Sequence, residues 1–337
     1  MSDSPAFTSV AIIGSGSFGT AIATLLAPKL RTVMLIGRDP VTAEAINREH
    51  RNPHYLGDIP LAENVMATTD LALAVEHPLI IFAVPTSATQ ATARALADLG
   101  LPSSCTLLSC SKGIEKQTGD RMTELLRHVF PENPIAALSG PNHAEEIGRG
   151  LATCAVIGAD DPSLARRLQE LFTLPHFRCY TCDDLAGLEF GGAVKNVYAI
   201  AAGMAHGLGL GDNAVAALVT RALAEMARLG TAMGGRPETF AGLSGVGDLI
   251  ATCFSEHSRN HRVGLALGSG KSVDEAVAAL GMVAEGVPNT LSIYEAARRA
   301  QVRTPIIDAV YSVIYEDKPA AMAMKDLLNR DPRPEND

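Results

Sequence analysis

The chain has 337 residues, enough for two domains with separate cores, and its 47% hydrophobic and 19% charged residues exclude a disordered polypeptide. A net charge of −9 without a long basic block excludes nucleic acid or an anionic membrane as the main partner, although a local cation cluster can still hold a small anion. The first ten residues lack the basic and apolar segments of a secretory signal, and no apolar stretch reaches membrane-spanning length, so a cytoplasmic protein without membrane insertion is expected.

The first element is an apolar run of strand type, Val10-Ala11-Ile12-Ile13. It leads into Gly14-Ser15-Gly16-Ser17-Phe18-Gly19, and a helix-forming segment from Thr20 to Ala27 follows. Strand, G-x-G-x-x-G turn and helix in that order form the context of a dinucleotide fingerprint. Gly14 permits the turn, Gly16 lets the backbone approach a pyrophosphate, and Gly19 lets helix and strand pack closely. The anion belongs at the helix N-terminus, where free N–H groups and the positive dipole end point.

Val33–Ile36 reads as a second strand, followed by Gly37-Arg38-Asp39-Pro40 and a helix from Val41. An acid in that loop accepts from a ribose 2′-hydroxyl, whereas an arginine pairs with a 2′-phosphate. Arg38 therefore favours NADP(H), while Asp39 keeps NAD(H) open. Leu79–Val84 is a third strand, with a helix from Thr86 to about Leu99. Thr106–Cys110 is a fourth, with a helix over Thr118–Val129. Ile135–Leu138, Ala152–Ile157 and a helix over Pro162–Phe172 extend the pattern. Apolar strands alternating with helices predict a mostly parallel sheet covered on both faces, with ligands beyond the strands' carboxyl ends.

Two loops at such ends carry candidate groups. Lys112 in Ser109-Cys110-Ser111-Lys112-Gly113 puts a cation at the ligand edge. Ser139-Gly140-Pro141-Asn142-His143-Ala144 offers small residues that admit a ligand to backbone N–H groups. His143 is read as a packing or surface residue.

The six cysteines read as reduced thiols, and Cys179-Tyr180-Thr181-Cys182 as a strand with alternating faces. A zinc site would want a second such pair, and no metal is expected. From about Asp184 the strand signal fades. Asp184–His206, Asp212–Leu229, Val273–Ala279, Pro288–Arg299, Pro305–Tyr315 and Ala320–Leu328 have helical periodicity. The expected organisation is a dinucleotide-binding domain over 1–183, an all-α substrate domain over 184–328 and a polar tail over 329–337.

Lys195 is the only charge in the apolar run from Phe190 to Ala205. A lysine desolvated there drops from about 10.4 towards neutrality and suits proton exchange with an alcohol or ketone oxygen. Asp248 and Thr252 share a helix face by their four-residue spacing. Ser258-Arg259-Asn260-His261-Arg262 reads as an exposed cationic loop able to hold a phosphate.

At these motifs the sequence resembles the NAD(P)-dependent glycerol-3-phosphate dehydrogenases of bacterial type. The likeness runs from Val10 to about Leu328 through GSGSFGTAIA, VPTSAT, CSKGIE, SGPNHAEE, GGAVKNV, GVGDL, SRNHRVG and AEGVPN. The resemblance implies a Rossmann-type domain followed by an all-α domain. It also implies reversible hydride transfer between NAD(P)H and C2 of dihydroxyacetone phosphate, giving sn-glycerol 3-phosphate for glycerophospholipid synthesis, by a homodimer. By match, Lys195 is the proton donor/acceptor. Lys112, Gly140, Asn142, Asp248, Ser258, Arg259 and Asn260 line the substrate site. Gly14, Gly16, Ser17, Phe18, Gly19, Arg38, Lys112, Ala144, Arg259, Val283 and Glu285 fall on cofactor positions. Asn142-His143 stands where Ser-Phe is common, and Thr86-Ser87 replaces a more usual Ser-His. Two other readings stay open: a β-hydroxyacid dehydrogenase of the same two-domain plan, and a non-catalytic dinucleotide sensor.

Overall fold

A computed structural model describes residues 7–280, 284–331 and 334–335. Its first half is built on eight strands: β1 (Ser9–Ile13), β2 (Thr32–Ile36), β3 (Val65–Thr68), β4 (Leu79–Phe82), β5 (Thr106–Ser109), β6 (Ile135–Ser139), β7 (Thr153–Ala159) and β8 (Phe177–Cys182). They form one sheet in the order β3-β2-β1-β4-β5-β6-β7-β8. All neighbours are parallel except β6 and β7, whose antiparallel pairing turns the last two strands the other way. Successive residues of β1 serve opposite faces. Val10 and Ile12 pack into one core with Ile22 and Leu168, while Ala11 and Ile13 pack into the other with Phe82, Leu96 and Leu126. A run apolar at every position is the mark of such a doubly covered strand.

The helices interleaved with these strands are α1 (Ser17–Leu26), α2 (Pro40–Glu49), α3 (Thr86–Asp98), α4 (Met122–Val129), α5 (Ala144–Gly148) and α6 (Pro162–Phe172). Three expectations shift. The third strand ends at Phe82, before Val84. The helix read from Thr118 begins at Met122, because Ile114 and Arg121 pair as an isolated bridge and hold the intervening segment in a turn. Edge strand β3 escaped the sequence reading: four residues, one side facing solvent, give too short a periodic signal.

After β8 the described residues hold helices only: α7 (Leu185–Gly207), α8 (Asp212–Ala232), α9 (Pro237–Phe240), α10 (Asp248–Phe254), α11 (Arg259–Gly268), α12 (Val273–Ala278), α13 (Gly286–Arg299), α14 (Pro305–Tyr315) and α15 (Ala320–Leu328). A π-helical turn, Leu243–Gly247, runs directly into α10. Helix α7 is apolar on all sides because it is the core of this half; Val194, Val197, Ile200 and Met204 are all buried in the helical cluster. It meets α11 at a crossing made of glycines. A Cβ on Gly203 would lie 2.1 Å from the His261 carbonyl oxygen, and one on Gly264 would lie 2.0 Å from that of Ile200.

Cys179 is buried on β8 and the residues around it alternate in exposure, as expected of a strand. Among the described residues no helix is long and apolar enough to cross a membrane.

Candidate active site

The β1–α1 turn is shaped by its glycines. Gly14 has φ +116°, a conformation L side chains rarely adopt, and a Cβ there would come within 2.4 Å of the Ala83 carbonyl oxygen. Gly19 packs onto the same turn, where a Cβ would meet the Gly14 oxygen at 1.8 Å. Gly16 differs, since a Cβ there would meet nothing within 4 Å. It is also the N-cap of α1, and no side chain caps that end. The first N–H groups of α1 are thus left without a side-chain cap, which is the condition for an anion at a helix N-terminus. These residues fit a dinucleotide pyrophosphate. The turn is latched by a residue the sequence did not single out: buried Asn52 donates to the Ser15 carbonyl and the Thr20 hydroxyl, both at 2.8 Å.

Arg38 lies exposed just beyond β2. Asp39, the rival reader of the ribose, is committed to the N-terminus of α2, where its carboxylate accepts from Val41 N and Thr42 N at 3.1 Å each. Those bonds and that of the Thr42 hydroxyl hold its carboxyl below the usual carboxylate range. Arg38, by contrast, makes no side-chain hydrogen bond or ion pair among the described residues.

The second cluster joins the sheet to the helices. Lys112 follows β5, Gly140 and Asn142 follow β6, Lys195 lies midway along α7, and Asp248 opens α10. Lys112 Nζ donates to Gly140 O at 2.9 Å, Asn142 Oδ1 at 2.7 Å and Asp248 Oδ2 at 2.8 Å. Lys195 Nζ donates to the other Asp248 oxygen and to Thr252 Oγ1, the latter at 2.8 Å. The Thr252 hydroxyl in turn donates a hydrogen bond to the Asp248 carbonyl at 2.6 Å. One carboxylate thus bridges two ammonium groups, and the side chains of Asp248 and Lys195 are only 2% and 7% exposed.

Counting protons separates the two lysines. An ammonium has three donors. Those of Lys112 are all used, whereas Lys195 has one left. Electrostatics points the same way. Burial depresses the Lys195 ammonium to about 7; Asp248 opposes the fall and Lys112 adds to it. Asp248 is held below the carboxylate range because the two lysines outweigh its own burial. Two cations on one anion leave one positive charge in excess, and Lys195 is the more buried carrier.

Two polar atoms beside this cluster, Asn142 Nδ2 and Ser139 Oγ, are buried and have no protein partner. A buried donor without a partner is costly, and a bound oxygen would satisfy it. His143 Nε2 donates to the Ala251 carbonyl at 3.2 Å, and burial lowers its affinity for a proton, in keeping with its reading as a packing residue.

Ser258, Arg259 and Asn260 are not the solvated loop read from composition; they start α11. The Ser258 hydroxyl is the N-cap and accepts from His261 N at 3.2 Å. Asn260 is buried and turned towards α7, donating to Asn196 Oδ1 at 2.8 Å and accepting from Gly286 N at 2.9 Å. Arg259 stays exposed on the first turn, and its charge reaches Glu285. A buried asparagine in the middle of a basic run is invisible to composition; the Ser-x-x-x capping pattern was the available sign of a helix.

Glu285 precedes α13 and accepts from Thr86 N at 3.1 Å and Thr86 Oγ1 at 3.3 Å. Ala144 opens α5, buried against the first core. Val283 lies outside the described residues. Asn196 and Asn289, neither in the expected site, both donate to the Lys112 carbonyl, at 3.2 Å and 2.9 Å. Among the described residues no three metal-ligating side chains cluster.

Two family models match. The N-terminal part of NAD-dependent glycerol-3-phosphate dehydrogenase covers residues 9–165, and its C-terminal part covers 184–325. A glycerol-3-phosphate dehydrogenase [NAD(P)+] of Moorella thermoacetica is 46% identical over 323 residues, 96% of each chain. One of Enterococcus faecalis is 44% identical over 97% of each. The crystal structure of a glycerol-3-phosphate dehydrogenase from Coxiella burnetii superimposes with a TM-score of 0.92 at 35% identity, covering 96% of this chain and 99% of that one. The two models together span the glycine turn and the lysine–aspartate cluster, and this chain belongs to the NAD-dependent glycerol-3-phosphate dehydrogenase family.

Proposed function

We propose that the chain interconverts dihydroxyacetone phosphate and sn-glycerol 3-phosphate with NAD(P)H, and that Lys195 exchanges the proton. The observation that carries this is the buried Lys195–Asp248–Lys112 bridge, in which Lys195 alone keeps an unused donor; burial depresses its ammonium to about 7, in keeping with a proton-exchange role. The nicotinamide, when bound, supplies or accepts the hydride at C2. Lys195 gives its remaining proton to the C2 oxygen as charge gathers there, and in the oxidative direction the neutral amine takes that proton back. Asp248 orients the ammonium and Thr252 fixes a second of its protons. Asn142 Nδ2 is the buried donor free to bind a substrate oxygen. Lys112 keeps the cluster positive, and Arg259 with Ser258 and Asn260 supplies the phosphate end, where a guanidinium makes bidentate contacts.

Gly14, Gly16, Ser17, Phe18 and Gly19 are proposed to hold the pyrophosphate, Arg38 the adenosine end, and Ala144, Val283 and Glu285 the remaining cofactor contacts. The reading takes 1–183 as the dinucleotide domain, 184–328 as the substrate domain and 329–337 as a tail. It extends to a homodimer acting in the cytoplasm. A β-hydroxyacid dehydrogenase is not favoured, because its substrate needs no phosphate clamp beside Asp248. A sensor has no use for a lysine desolvated at position 195.

The test is oxidation of NADPH and of NADH by dihydroxyacetone phosphate. Turnover with that ketone is expected, with NADPH preferred and the preference reduced in Arg38→Ala. Silence with it, alongside turnover of a β-keto acid, would overturn the reading.

A further inference from the structure

We propose that Asn289 is a positioning residue for the reaction, clamping the main chain of Lys112 so that its ammonium stays on Asp248 beside Lys195. The proposal rests on the reading of Lys195 as proton donor. Lys112 stands beyond the last residue of β5, so the ladder does not hold it. Its side chain reaches across to α10, and a long flexible stem holds such a charge only if its base is fixed. The base is fixed through one atom. The Lys112 carbonyl oxygen accepts from Asn289 Nδ2 of α13 at 2.9 Å and from Asn196 Nδ2 of α7 at 3.2 Å.

The neighbouring residue shows how closely this loop is seated. A Cβ on Gly113 would lie 2.7 Å from Asn289 Oδ1 and 2.4 Å from Thr86 Oγ1. Asn289 is itself buried, 3% exposed, in the first turns of α13. It lies four residues after Glu285, hence on the same face, and Glu285 accepts from Thr86, the first residue of α3 after the β4 loop. The start of α13 therefore grips two loops of the sheet at once: the Thr86 loop through Glu285 and the Lys112 loop through Asn289. Asn196 gives the weaker hold on this carbonyl, its bond to Lys112 being the longer of the two.

The consequence is electrostatic. The groups facing the Lys195 ammonium are Asp248 and Cys253 of α10, Lys112 of the β5 loop and His143 before α5. Glu285 and Arg259 act from further out, through the Lys112 side of the cluster. Burial keeps the Cys253 thiol neutral, pushed up to about 12, and His143 is depressed by burial as well. Lys112 is thus the cation whose withdrawal changes the balance at Lys195. If it drifts from Asp248, Lys195 loses a like-charge neighbour and gains a larger share of the carboxylate. Both changes raise its pKa.

The experiment compares wild type with Asn289→Ala and Asn289→Leu, the second keeping most of the side-chain volume. Dihydroxyacetone phosphate reduction is followed across pH, and dinucleotide binding is measured separately by fluorescence. Expected is a fall in kcat of about ten- to a hundredfold, as for a displaced catalytic group. The alkaline limb of kcat/KM should move to higher pH in both variants, with the dinucleotide Kd unchanged. An unmoved alkaline limb in variants that fold would overturn the clamp, and so would a loss confined to dinucleotide affinity. If both variants fail to fold, Asn289→Ser, whose hydroxyl is one bond too short to reach the Lys112 carbonyl, takes their place and should show the same shift; an unmoved limb in it would overturn the clamp. Absence of turnover in the wild type would instead refute the underlying reading.

Discussion

Asp248 makes the chemistry proposed for Lys195 compatible with a folded protein. Two ammonium groups buried side by side would repel strongly, and the carboxylate between them, with one oxygen on each, lets both remain. Replacing it by asparagine keeps the shape and removes the carboxylate that lies between the two lysines. Asp248→Asn should lower the pKa of Lys195 below about 7, because the group that opposes desolvation is gone while Lys112 remains. The alkaline limb of dihydroxyacetone phosphate reduction should then move to lower pH, opposite to the shift expected for Asn289. Breaking a buried pair also costs about 3–5 kcal/mol, so a lower melting temperature should accompany it. An unchanged pH profile in a folded Asp248→Asn protein would mean that another group sets the limb. At this scale Lys195 was legible in the sequence because a charge in an apolar run has few explanations. Asn289, Asn196 and Asn52 were not, because a buried amide is recognised by its partners, and those lie far away in the chain.

The helices bring residues from distant parts of the chain to one place, and glycines set how closely they do it. Helices α7 and α11 cross with Gly203 and Gly264 in backbone contact. That closeness brings Asn260, in the first turn of α11, within hydrogen-bond reach of Asn196, next to Lys195 on α7. A methyl group at 264 must push a carbonyl aside, and backbone yields less readily than a side-chain tip. Gly264→Ala should destabilise the fold by about 1–3 kcal/mol as overpacking and raise KM for dihydroxyacetone phosphate by moving the α11 N-terminus. Calorimetry and steady-state kinetics check both; an unchanged melting temperature would show that the crossing has slack. The long periodic elements were readable from the sequence because burial on one or both faces imprints a period. Edge strand β3, the bridge before α4 and the start of α11 were not. Each is short or set by tertiary pairing: Ile114 against Arg121, and Asn260 against Asn196.

Over the whole molecule the sheet supplies the dinucleotide turn and Lys112, and the helices supply Lys195 and Asp248. Neither half carries a complete proposed site. The glycine turn is a feature of many dinucleotide folds; the proposed reaction rests on the lysine–aspartate–lysine bridge across the two halves. The parallel sheet and the helical second half could be read from the pattern of runs, whereas their relation is fixed by polar contacts such as Thr86 with Glu285 and Lys112 with Asp248. The central claim is that Lys195 carries the proton. Lys195→Met removes the ammonium, keeps the volume and leaves Asp248 paired with Lys112, so the protein should fold. The decisive measurement is its kcat for dihydroxyacetone phosphate reduction at saturating dinucleotide. A loss of about 100-fold or more is predicted, the scale of a missing general acid, with dinucleotide binding intact; a kcat equal to that of the wild type would contradict the account.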